Sequence, residues 1–148
     1  MRTESTMQTE WPAMESRGPT VREADIAAFE RSIGHPLPDD YRAFLFEVNG
    51  GRLAIENTQH AMFVVNTLFR LGADDESLDL QTQTTEARDV PADMLFVGYD
   101  DGGNRLLVAL ASELRGQVWY QHRRTRRDMQ KLAASWREFL AGLGPLQE

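Results

Sequence analysis

The stretch Leu37–Gly51, LPDDYRAFLFEVNGG, constrains this chain more than any other. It predicts a short helix marked at both ends. Pro38 suits the first helical position, where its missing N–H would have no partner in any case. Asp39 and Asp40 follow in the first turn, where negative charge complements free N–H groups and the helix dipole. Tyr41, Phe44, Leu45 and Val48 fall at i, i+3, i+4 and i+7, one apolar stripe. Asn49-Gly50-Gly51 then stops the helix with residues that accept left-handed backbone angles.

Upstream, residues 1–19 are rich in Thr, Glu and Ser and close on Gly18-Pro19, the pattern of a flexible leader. Trp11 and Met14 are its substantial apolar residues, and the sequence leaves open whether they dock. Thr20 and Glu23 have the spacing of a capping box. Ile26, Phe29 and Ile33 then share one helical face, and Gly34 ends the run. His35-Pro36-Leu37-Pro38 is a short, stiff joint, because a residue before proline is pushed away from helical angles.

Beyond Gly51 the pattern changes. Arg52–Ile55 suggests a short strand, and Ala61–Leu71 a longer one dense in β-branched and aromatic residues. Gly72–Asp93 is polar and acidic, with a short extended piece at Leu78 and Leu80 and one helical turn at Thr84–Arg88. Met94–Tyr99, Asn104–Leu110 and Gln117–Gln121 are the clearest strands. Asp100–Gly103 and Ala111–Gly116 join them as turns, which predicts an antiparallel meander. Arg123–Arg127 is a basic loop. Asp128 is placed to cap a last helix carrying Leu132, Trp136, Phe139, Leu140 and Leu143. This order gives an α+β fold, with two N-terminal helices and one C-terminal helix packed on a largely antiparallel sheet.

A length of 148 residues is most simply one domain with a sizeable core, here residues 20–148 behind the leader. Cysteine is absent, which excludes disulfides, thiolate metal sites and a cysteine nucleophile. No run approaches the length of a transmembrane helix, and the polar start has no signal-peptide character, so a cytoplasmic protein is expected. The formal charge is −7, which argues against binding nucleic acid through phosphate contacts. It is unevenly spread: residues 1–110 carry a net −10 and residues 111–148 a net +3. Loop carboxylates gather at Asp74, Asp75, Glu76 and Asp79, at Asp89 and Asp93, and at Asp100 and Asp101. Such a front steers a basic partner or simply keeps the protein soluble.

Catalytic patterns are lacking. His35, His60 and His122 are dispersed, with no helical metal pair. Asp100-Asp101-Gly102-Gly103-Asn104 lacks the spacing of a calcium loop and reads as a hairpin turn. Asn49-Gly50-Gly51 lacks the Lys-Ser/Thr of a phosphate loop. No serine lies in a G-x-S-x-G elbow. The arginine run fits a solvated loop better than a nucleic-acid contact, given the charge of the whole chain. Phe29, Tyr41, Phe44, Trp136 and Phe139 read as core. No catalytic residue, cofactor or metal is expected.

The blocks Ile26-x-x-Phe29-Glu30-x-x-Ile33-Gly34-x-x-Leu37-Pro38-x-Asp40-Tyr41-x-x-Phe44-Leu45 and Asn49-Gly50-Gly51 resemble the N-terminal signature of the SUKH superfamily, in particular its Smi/Knr-type members. The resemblance continues through Phe96–Leu110, Gly116–Tyr120 and Leu132-Ala133-x-Ser135-Trp136-x-x-Phe139-Leu140, and so covers residues 20–143. It implies helices packed on an antiparallel sheet and a protein-binding role without catalysis. Bacterial members are commonly immunity proteins that neutralise a cognate toxin, and fungal members are regulatory adaptors.

Taken onto this chain, the resemblance implies an immunity protein that occludes a toxin domain, its acidic front meeting a basic, nuclease-like cleft. The expected partner-binding residues are Asp74, Asp75, Glu76, Asp100, Asp101, Asn104, Trp119 and Tyr120, with a protein partner, no nucleic acid and no membrane. A monomer is favoured. Two readings compete with it: an interaction module that serves no toxin, and an enzyme using His60 or His122 with a loop carboxylate.

Overall fold

Antiparallel pairing dominates the computed structural model, which describes residues 11–60 and 63–145. Eight strands form one sheet among the described residues: β1 (Met14–Arg17), β2 (Gly51–Leu53), β3 (Gln59–His60), β4 (Phe63–Leu68), β5 (Met94–Asp100), β6 (Arg105–Ala109), β7 (Val118–Gln121) and β8 (Met129–Ala133). Their order is β1-β2-β4-β5-β6-β7-β8, with β3 paired on β4. Four α-helices accompany it: α1 (Glu23–Ile33), α2 (Asp39–Glu47), α3 (Leu80–Glu86) and α4 (Trp136–Ala141). The α+β class and the meander of β5, β6 and β7 are as expected.

Aromatic burial defines the helical layer. Phe29, Tyr41, Phe44, Trp136 and Phe139 are all buried. Tyr41 and Phe44 meet Trp136 edge-on at 5.0 and 5.4 Å, which joins α2 to α4. Phe139 reaches Phe63 of β4, and Phe63 reaches Tyr120 of β7, so a line of rings ties the helices to one face of the sheet. Each such pair contributes about 1 kcal/mol beyond the area it buries. The α1–α2 corner is held by Arg42, whose guanidinium pairs with Glu30 at 3.2 Å and Glu23 at 2.6 Å.

Asn49 shows why the Asn-Gly-Gly stop matters. Its backbone is left-handed, with φ of 63°, and its side chain is buried. The Nδ2 group donates to the carbonyls of Pro19 at 2.8 Å and Leu71 at 2.9 Å, while Oδ1 accepts from the Leu71 N–H at 2.9 Å. A Cβ on Gly50 would overlap the Phe69 carbonyl, and one on Gly51 would overlap the Ser16 carbonyl. These residues end a helix and also let three chain segments pass in close contact.

Several expectations are corrected. Residues 14–17, assigned to a leader, form β1 on the edge of the sheet, because β2 offers them an open ladder. Trp11 docks as well: its ring meets Phe44 at 5.4 Å and its Nε1 donates to Glu47 at 2.7 Å. Residues 1–10 of that segment lie outside the described residues. Helix α1 begins at Glu23, not at a Thr20 cap, and the carboxylate of Asp25 accepts from the Arg22 N–H at 2.9 Å. Pro38 occupies the cap position of α2 and Asp39 the first helical one. The strand expected over Ala61–Leu71 is described over Phe63–Leu68, residues 61 and 62 lying outside the described set.

The acidic segment holds a true helix, α3, capped by Asp79, whose Oδ2 accepts from the Thr82 N–H at 2.9 Å. Asp128 caps nothing helical, since Met129–Ala133 pairs with β7 as β8. The cap of α4 is Ser135, whose hydroxyl accepts from the Glu138 N–H at 3.1 Å. Asp40 adds a second cap from outside, accepting the Arg137 N–H at 2.9 Å.

Replacing Asn49 with Ala strands three backbone groups and puts a methyl-bearing residue at positive φ. Loss of roughly 3 kcal/mol is expected, read from the urea midpoint. Gly50→Ala should be at least as damaging. An Asn49→Ala variant as stable as the parent would refute this account of the junction.

Candidate functional site

Two loops and one strand carry the residues expected to meet a partner, and the structure separates them into three kinds. Asp74 and Asp75 are exposed ahead of a short 3₁₀ turn at Glu76–Leu78, and Glu76 is exposed at its start. Asp75 accepts from the N–H and hydroxyl of Ser77, at 3.0 and 2.7 Å. Those bonds favour the charged form and hold its carboxyl below the usual carboxylate range. This loop follows the C-terminal end of β4. Asp100 pairs with Val65, nearer the start of that strand, so the two acidic groups leave β4 at different ends.

The turn Asp100–Asn104 is built around a buried carboxylate. Asp100 Oδ1 accepts from the N–H groups of Gly102 at 2.9 Å and Asn104 at 2.7 Å, and Oδ2 accepts from Asn104 Nδ2 at 3.1 Å. Asp100 is 7% exposed, so its oxygens serve the turn. Asn104 Oδ1 in turn accepts from the Arg123 N–H at 2.9 Å and fixes the neighbouring loop. Asp101 is the exposed carboxylate of the pair and accepts from Asn66 Nδ2 at 3.0 Å. Arg52 donates to Asn66 Oδ1 at 3.5 Å and pairs with Glu15 at 3.4 Å. Sequence reasoning missed this polar row because its members come from β1, β2, β4 and a turn. Only lateral strand register brings them together.

Trp119 and Tyr120 are adjacent in β7 and therefore point to opposite faces. Tyr120 lies with Phe63 on the helical face, half-buried, and burial together with Asp100 and Asp128 pushes its hydroxyl pKa up. Trp119 faces the other way, beside Gln117, whose Oε1 accepts its Nε1 at 3.1 Å. On that second face a strap, residues 87–93, crosses the sheet. Arg105 and Arg126 donate to the Arg88 carbonyl at 2.6 and 2.9 Å, and Gln121 Nε2 donates to the Asp89 carbonyl at 2.9 Å. Arg105 also lies 4.8 Å over the Phe96 ring.

A cleft of about 350 Å³ opens between α1, α3 and the strap, lined by residues including Ser32, Gln81, Thr84, Val90 and Met94. Its hydroxyls are engaged within the fold: Ser32 donates to the Phe29 carbonyl and Thr84 to the Leu80 carbonyl, both at 2.7 Å. Two of the histidines make contacts within the fold. His60 stacks 5.1 Å from Phe139. His122 Nδ1 accepts from the N–H groups of Arg124 and Thr125 at 3.2 and 3.1 Å. Among the described residues no group of three or more His, Asp or Glu is placed to hold a metal ion. No helix of the described residues is long and apolar enough to cross a membrane.

Paired leading helices, an antiparallel meander and a closing helix, with charge displayed on fixed loops, define a small α+β domain of the helix-on-sheet kind. The chain belongs to the SMI1 / KNR4 family (SUKH-1), which matches residues 20–142. That family includes immunity proteins and generally comprises non-catalytic domains. No curated protein matches the chain.

The different duties of neighbouring carboxylates can be measured. Asp100→Ala leaves three donors without their acceptor and should cost about 2 kcal/mol. Asp101→Ala, at an exposed position, should stay within about 0.5 kcal/mol of the parent. Equal losses in chemical denaturation would contradict the division of roles.

Proposed function

We propose that the protein is an immunity protein that binds and neutralises a cognate bacterial toxin by protein–protein contact, inside the cell that makes it. The observation that carries this reading is the display of exposed carboxylates from fixed loops on a family scaffold that includes immunity proteins. The mechanism is occlusion. The net −10 of residues 1–110 raises the encounter rate with a basic cleft such as that of a nuclease, and close packing at the contact then slows release.

Within the expected surface, Asp74, Glu76 and Asp101 are exposed carboxylates that a partner can reach, Asp101 tied in part to Asn66 and Asp75 to Ser77. Asp100 and Asn104 shape the turn that presents Asp101. Trp119 and Tyr120 face opposite sides of the sheet, so one contact patch engages at most one of them directly.

The test begins with the product of the neighbouring open reading frame, co-expressed and co-purified with this chain. An immunity protein forms a complex with it and restores growth to cells that express it. An adaptor serving no toxin does neither. In the complex, a combined Asp74→Lys, Glu76→Lys and Asp101→Lys variant should associate about tenfold more slowly at low salt and lose most of the salt dependence of its on-rate. Unchanged association kinetics would remove these loops from the contact.

A further inference from the structure

The sheet ends on β8, and its outer edge is open. The His122 N–H donates to the Asp128 carbonyl at 3.0 Å, so this pair belongs to the ladder between β7 and β8. Hydrogen-bonded and non-hydrogen-bonded pairs alternate along an antiparallel ladder. Tyr120 with Gln130 is therefore the next bonded pair. Met129 and Lys131, opposite Gln121 and Trp119, direct their N–H and C=O groups away from β7. The order of strands places nothing beyond β8, and no hydrogen bond from another described residue reaches those groups.

Positive charge flanks that edge. Arg123, Arg124, Arg127 and Lys131 are exposed, and none of their side chains has a hydrogen-bond or ion-pair partner among the described residues. The loop that presents the arginines is fixed from inside. His122 accepts two of its N–H groups, and Arg126 turns inward, donating to the Arg123 carbonyl at 2.8 Å and pairing with Asp89 at 3.6 Å. Half-buried Met129, Leu132 and Ala133 supply apolar surface along the strand.

We propose that the β8 edge with the Arg123–Arg127 loop is a docking site for an extended, acidic segment of a protein partner, which adds a strand to the sheet. Outward peptide groups at alternate residues match the backbone of an added strand, and the flanking cations match its carboxylates. A second copy of this chain is a poor occupant, since two such edges would set Lys131 and the arginines against their own kind. A nucleic acid has the charge but offers no backbone N–H and C=O groups in strand register. It also meets a chain of net charge −7. The inference goes beyond toxin neutralisation and does not depend on it: the edge recognises a segment by its chemistry whether or not its owner is a toxin.

The test uses the full chain and a fluorescent peptide, Glu-Val-Glu-Val-Glu-Val-Glu. Binding is read by anisotropy and by amide exchange of the protein. The peptide should bind below about 1 mM and slow exchange at Met129 and Lys131. Replacing Arg123, Arg124 and Arg127 with Ser, at exposed positions, should weaken it about tenfold, as should N-methylation of alternate peptide residues. Absence of binding at that concentration overturns the proposal. So does equal binding of the N-methylated peptide or of one with Lys for Glu, and so does tighter binding of a single-stranded oligonucleotide.

Discussion

The side-chain amide of Asn49 is the contact on which the arrangement of this protein turns. A buried amide is costly unless its donors and acceptor are met, and here they are met by the backbone of Pro19 and Leu71. Those bonds pin the lead into α1 and the exit from β4 to the end of α2. The glycines that follow let β1 and the Phe69 backbone approach more closely than any side chain would allow.

From that junction the two sides of the sheet acquire different characters. One is covered by helices through a line of aromatic rings from Trp11 to Tyr120, an interface that tolerates little change in volume. The other is crossed by a strap held through polar groups: Arg105, Gln121 and Arg126 donate to backbone carbonyls of Arg88 and Asp89. Charge is sorted in the same way. Asp79 and Asp100 serve caps and turns, whereas Asp74, Glu76 and Asp101 are exposed, Asp101 with one bond from Asn66. A count of acidic residues therefore overstates what a partner can touch.

Much of this was legible in the sequence, and the misreadings have physical causes. The stripe of α2, the glycine stop, the three strands of the meander and their turns are all signalled locally. Met129–Ala133 is not: Met, Gln, Lys, Leu and Ala all favour helix, and only pairing with β7 makes them a strand. The true start of α4 carried a readable sign, Ser135 with Glu138 three residues on, which the nearer Asp128 overshadowed. Helix α3 was also readable, from Asp79 ahead of a run without glycine or proline. Nothing local separates Asp100 from Asp101, because burial is decided by neighbours in other strands. The same holds for the row of Arg52, Asn66 and Asp101.

The strand at Met14–Arg17 lies ahead of the residues that the family pattern covers, yet it guards the sheet. β2 meets β4 at a single register position, Gly51 opposite Leu68, while its longer pairing is with β1. A protease cut near Thr20 would thus remove the bordering strand. The three-residue β2 would then be the outer strand, its backbone open to the edge pairing that recruits other chains into aggregates.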